Sequence, residues 1–127
     1  MNNSLPQPGS HFISLTRAIE MTALYRSQKE NILAPSFQNR KILPVCETFN
    51  RVDIDTIMEK DGCEALRVYP GMDENLKVRF ILVPVNEDNE DILPAQQQNV
   101  SDDPGDDIVE EGHRCPDICP PGSPLNS

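Results

Sequence analysis

Tryptophan is absent from this 127-residue chain, and four Phe with two Tyr supply all of its aromatic surface. Hydrophobic residues make up 37%, so the core must be small and mainly aliphatic, and the length allows one domain. Histidine is also scarce. His11 and His113 are the only two, and both fall in segments where nothing would hold a base in position. A phosphate-cradling Gly-rich loop, G-x-S-x-G and H-E-x-x-H are all missing. Catalysis is therefore not expected. The longest apolar run, Phe80 to Val85, is far too short to span a bilayer. The first residues carry neither a basic n-region nor an apolar h-region, so no secretory signal is expected there. Four cysteines without an export signal are expected to be reduced thiols in the cytoplasm, with export by a route lacking an N-terminal signal as the alternative.

Basic residues are missing from one part of the chain. Residues 1–85 hold ten Lys/Arg and ten Asp/Glu, whereas residues 86–127 hold one basic and eleven acidic residues, which accounts for the net charge of −10. Six of the twelve prolines also lie at Pro94 or later. Like charge with little apolar surface cannot offset chain entropy. The expected organisation is a flexible leader at 1–11, a compact domain at 12–86 and an acidic, Pro-rich tail at 87–127. With such a tail and no basic stripe, nucleic-acid binding is disfavoured.

Within the domain, Ser14 is a good N-cap for a helix over about 15–30, with Ile13 and Ala18 placed as a hydrophobic staple. Leu15, Ala18, Ile19, Met21, Thr22 and Tyr25 share one broad face, and Leu24 falls on the opposite one. A second helix is expected over Arg51–Lys60, capped by Asn50, with Asp53 and Asp55 in the turn where the macrodipole favours anions. Ile54, Ile57 and Met58 form its inner stripe, and Gly62 supplies the left-handed end. Leu66 and Val68, then Leu76, Val78 and Phe80, alternate with charged residues around the turn residues Pro70 to Asn75, which predicts a β-hairpin. Two strands alone are marginal, and Lys41 to Cys46 is the best candidate for a third. The expected fold class is α+β: two helices packed on a hairpin or a three-stranded antiparallel sheet.

The strings MTALYR (21–26), ENIL (30–33), LPVCETFNR (43–51), YPGMDENLKV (69–78) and EGHRCPDICPPGSPLN (111–126) resemble a family of short, uncharacterised bacterial proteins. The resemblance runs from Phe12 through the Cys-Pro tail and implies no activity, ligand or catalytic residue.

The most specific chemical constellation is His113, Cys115 and Cys119. Two thiolates separated by three residues match half of a zinc site, and Cys46 or Cys63 would have to complete it. A Cys115–Cys119 disulfide becomes credible if the chain is exported. Two free thiols in a Pro-rich tail are the simplest reading. Pro116, Pro120, Pro121 and Pro124 favour polyproline II, a pre-extended form suited to docking, with Leu125 near its end. The acidic clusters 87–91 and 102–107 lack the EF-hand ligand order. Cys46 and Cys63 read as packing thiols. Three functions follow as expectations: a non-catalytic, adaptor-like interaction protein using its tail, with Leu24 as a second contact; a self-assembling structural subunit ordered by strand addition and tail packing; or a zinc-binding protein through the Cys115/Cys119 pair.

Overall fold

The computed structural model describes residues 4–94 and 108–126. It is an α+β structure with the helices α1 (Leu15–Gln28) and α2 (Arg51–Met58) and a short 3-10 turn at Pro35–Phe37. Its strands are β1 (Cys46–Thr48), β2 (Ala65–Met72), β3 (Val78–Val85) and β4 (His113–Cys115). They form two two-stranded sheets, β1 with β4 and β2 with β3. The chain divides into two compact units. One comprises Met1–Pro6, Phe49–Gly71 and Phe80–Gly112, and the other Gln7–Thr48, Met72–Arg79 and His113–Ser127.

The first unit holds α2 and most of the β2–β3 hairpin. Asn50 caps α2 as its sequence requires, its side chain accepting a hydrogen bond from the Val52 N–H at 3.0 Å. Gly62 adopts φ +81° just beyond the helix, a conformation that costs glycine nothing. Ile57, Leu82, Val83 and Val85 are buried. Val109 bridges Leu82, and Asp91 bridges Val85, so residues read as tail line β3.

Within the hairpin, β2 presents the opposite face from the one expected, while β3 is half-buried or buried along its whole length. Leu66 and Val68 are exposed, at 37% and 52%, while Arg67 is half-buried and ion-paired to Asp91 at 2.5 Å. The cause is the turn over 86–91. Asn86 Oδ1 accepts from the N–H groups of Asp88 and Glu90, at 3.0 and 2.9 Å, an Asx-type closure. This turn sets Asp91 to receive Arg67 and the Tyr69 hydroxyl, the latter at 2.5 Å. Charge pairing thus selects the face of β2. Apolar alternation does not.

The second unit holds α1 and the β1–β4 sheet. Ser14 caps α1, its hydroxyl accepting from the Arg17 N–H at 3.0 Å. Ala18, Ile19, Thr22 and Tyr25 form the half-buried stripe, but no α1 residue is fully buried. The Tyr25 hydroxyl donates to the Pro44 carbonyl at 2.5 Å, and burial raises its pKa despite the opposing field of Arg114. A third strand on the hairpin, expected from Lys41 to Cys46, is not found among the described residues. That segment yields β1 only from Cys46 onward, and β1 pairs with β4 in the register Cys46↔Cys115, Glu47↔Arg114 and Thr48↔His113.

Candidate functional site

The second unit is anchored from the segment read as a tail. Arg114 is the only Lys or Arg beyond residue 85, yet it is 2% exposed. Its Nε donates to the Val78 carbonyl at 2.8 Å. Its Nη2 donates to the carbonyls of Lys41 and Ile42 at 2.7 and 2.6 Å. Nη1 makes no hydrogen bond and faces Asp117 at 3.7 Å. A guanidinium is suited to this task because its donors form a planar fork that stays charged when buried. The clamp holds a bend in which Asn39 and Lys41 have φ near +61° and +60°, a conformation unfavourable for a lysine. Beside it, the buried Glu47 carboxylate lies 3.8 Å from Arg79, and Arg79 lies 3.9 Å from Asp73. Asp73 is held below its usual carboxylate range mainly by the Lys77 N–H.

Next to the clamp are Cys115 and Cys119, with Cys46 opposite Cys115 on β1. Cys115 and Cys119 are joined as a disulfide with their Cα atoms 4.5 Å apart. The approach follows from a tight turn, in which the Ile118 N–H donates to the Arg114 carbonyl at 2.8 Å. The lack of an export signal predicts these two as free thiols, and the structure has them bonded instead. In this state neither can offer a thiolate to a metal, and His113 is exposed on β4. Among the described residues, no three His, Cys, Asp or Glu are grouped as a metal site. Cys46 is a free thiol directly opposite Cys115 in the β1–β4 ladder. Cys63, in the first unit, donates its S–H to the Ala65 carbonyl at 3.3 Å.

The other notable surface in the second unit is α1. Arg17, Met21, Leu24, Tyr25, Gln28, Lys29 and Ile32 line an open groove of about 350 Å³. Leu24 is 65% exposed and Ile32 is 71% exposed. The rim cations are partnered, Arg17 with Glu20 at 3.5 Å and Lys29 with Glu30 at 2.9 Å. The chain end is tied to the same helix, because Arg26 Nη1 donates to the Leu125 carbonyl at 2.5 Å. Pro116, Pro120, Pro121, Pro124 and Leu125 are all exposed. The residues proposed as contacts from sequence therefore share one unit, and the last of them is hydrogen-bonded to α1. Sequence reasoning found Leu24 and the prolines but missed Met21 and Ile32 as their neighbours, having assigned Met21 to the inner face. It also missed Arg114. The available signal was a lone cation in an otherwise acidic segment.

No helix among the described residues is long and apolar enough to cross a membrane. No family model matches the sequence, and no curated protein or solved structure is significantly similar to it.

Proposed function

We propose that this chain is a non-catalytic, adaptor-like interaction protein. Its partner would be a basic protein seated on the exposed apolar face of α1 and the Pro-rich segment 116–125. The observation that carries this reading is the state of α1. It is a 14-residue helix without a fully buried residue, and its Leu24 lies in an apolar groove with Met21 and the nearby Ile32. Single exposed apolar side chains are ordinary, but a contiguous set around a groove is typical of a contact surface. The Pro-rich segment is folded into turns at 116–117 and 124–126 and closed by the Cys115–Cys119 bond, not extended as polyproline II, and this pre-organisation lowers the entropic cost of contact. The charge of −10 selects the partner's sign, because a field of this kind steers encounter with a basic surface and disfavours acidic ones. The acidic stretch 102–107 lies outside the described residues and adds to that field through its charge alone. The absence of a resident metal belongs to the same proposal, and the Cys115–Cys119 disulfide favours the alternative setting, export by a route lacking an N-terminal signal, over the cytoplasm.

The test is a photo-crosslinking amino acid at position 24 of the full chain in its native extract. The expected product is one heterologous adduct that weakens as salt rises and is lost in an Ile32→Glu background. The reading fails if no adduct forms, or if the only adduct is a dimer of the chain.

Self-assembly is the second reading, and a different observation favours it. Leu66 and Val68 form an apolar stripe on the exposed face of β2, a surface suited to a second copy. In that case Val68→Lys should abolish any concentration-dependent growth in particle size, and the position-24 crosslinker should give no heterologous adduct.

A further inference from the structure

We propose that Cys46, Cys115 and Cys119 form a three-sulfur exchange site, in which Cys115 is shared between two mutually exclusive disulfides. The Cys115–Cys119 bond is present, and Cys46 is a free thiol paired with Cys115 across the antiparallel ladder. Directly opposed residues in such a ladder have Cα atoms about 4.5 or 5.5 Å apart, with side chains on the same face. Both separations fall inside the range of about 4.4–6.8 Å that a disulfide needs. The ladder spacing therefore suits the second bond.

The exchange is balanced within the chain. The Cys46 thiolate attacks the Cys115 sulfur, the Cys46–Cys115 bond forms as the Cys115–Cys119 bond breaks, and Cys119 leaves as a thiolate that takes a proton from water. No oxidant or reductant is consumed. Accessibility sets the direction of attack. Cys115 is 7% exposed, so an outside thiol reaches it poorly, whereas Cys46 is already beside it. Cys119 is exposed, so its departing thiolate is solvated, which favours it as the leaving group. Arg114 holds Val78, Lys41 and Ile42 through hydrogen bonds of 2.6–2.8 Å, which keeps β4 anchored while the bond partner changes. The product is a solvent-facing Cys119 thiol, an acceptor for a small-molecule disulfide. That second step forms a Cys119 mixed disulfide and releases one equivalent of the small thiol.

The experiment uses the full chain, oxidised, freed of small thiols and incubated at pH 8 with iodoacetamide. Non-reducing peptide mapping by mass spectrometry follows. The expected result is alkylated Cys119 accompanied by an equal amount of the Cys46–Cys115 linked peptide. In Cys46→Ser, Cys119 alkylation should fall at least tenfold while the Cys115–Cys119 bond persists. Alkylation of Cys46 alone, with Cys115–Cys119 intact throughout, would overturn the proposal. A second variant keeps the test open if Cys46→Ser misfolds. Cys119→Ser, treated with oxidised glutathione, should form the Cys46–Cys115 bond. Glutathione adducts on Cys46 or Cys115 without that bond would also overturn the proposal.

Discussion

Replacing Arg114 should cost more stability than any other single change in the second unit. In Arg114→Ala, three backbone carbonyls lose a charged donor: Val78, Lys41 and Ile42. Ile42 keeps the Val78 N–H at 2.7 Å, which leaves the carbonyls of Val78 and Lys41 as the exposed losses. Both bonds are only part-buried and Lys41 is exposed, so water replaces part of what is lost and the two cost about 1–3 kcal/mol together. Loss of the packed aliphatic stem adds to this. Release from burying a guanidinium subtracts from it. The Asp117 contact adds little, because that carboxylate is 43% exposed. A net loss of about 2–4 kcal/mol is expected from the lost donors and the lost packing, a large part of a small domain's stability. Arg114→Lys should recover only part of it, since one ammonium cannot span three carbonyls on a fork geometry. Urea unfolding followed by circular dichroism measures both variants. A loss below about 1 kcal/mol for Arg114→Ala would refute the clamp.

Other consequences are open to direct measurement. A chain ending at Asn86 lacks β4, Arg114 and Val109, so its thermal transition should lose cooperativity; a sharp transition equal to that of the full chain would show that the tail is dispensable. Asp91 is held below its usual carboxylate range, first by the Tyr69 hydroxyl and then by Arg67. A depressed folded pKa stabilises above the unfolded value of about 3.9 and is lost as pH falls through the folded value. The thermal midpoint should therefore drop below about pH 4, and Asp91→Asn should flatten that drop. Leu24→Glu should change stability by no more than about 0.5 kcal/mol, because the side chain is 65% exposed, while abolishing partner binding.

Local chemistry made much of the fold legible. Ser14 and Asn50 cap their helices as read, because an N-cap is a contact between near neighbours in sequence. The hairpin was visible in its turn residues and alternation. Its face was not, because the pairing of Arg67 and Tyr69 with Asp91 spans more than twenty residues and outweighs the apolar pattern of Leu66 and Val68. Phe80 is accordingly half-buried and does not have Leu66 and Val68 behind it as core. The β1–β4 sheet lay beyond reach for a similar reason. Each strand is three residues long, too short for periodicity to register, and they meet across most of the chain. Composition assigned residues beyond 86 to solvent because their average is acidic, but one arginine and one cysteine near the end suffice to anchor β4. Of the candidate surface, Leu24 was found as a lone exposed leucine on the polar face of α1. Its significance depended on Met21 and Ile32 standing beside it.

Sedimentation velocity of the pure, full-length chain over a hundredfold concentration range, at about 50 mM and about 500 mM salt, tests the adaptor reading most directly. At the lower salt like-charge repulsion extends over ~10 Å or more, and at the higher salt it is screened to a few ångströms. An adaptor awaiting a basic partner should sediment as a monomer under every condition. Growth in particle size with concentration, stronger at high salt where the −10 charge no longer holds copies apart, would contradict it and establish self-assembly instead.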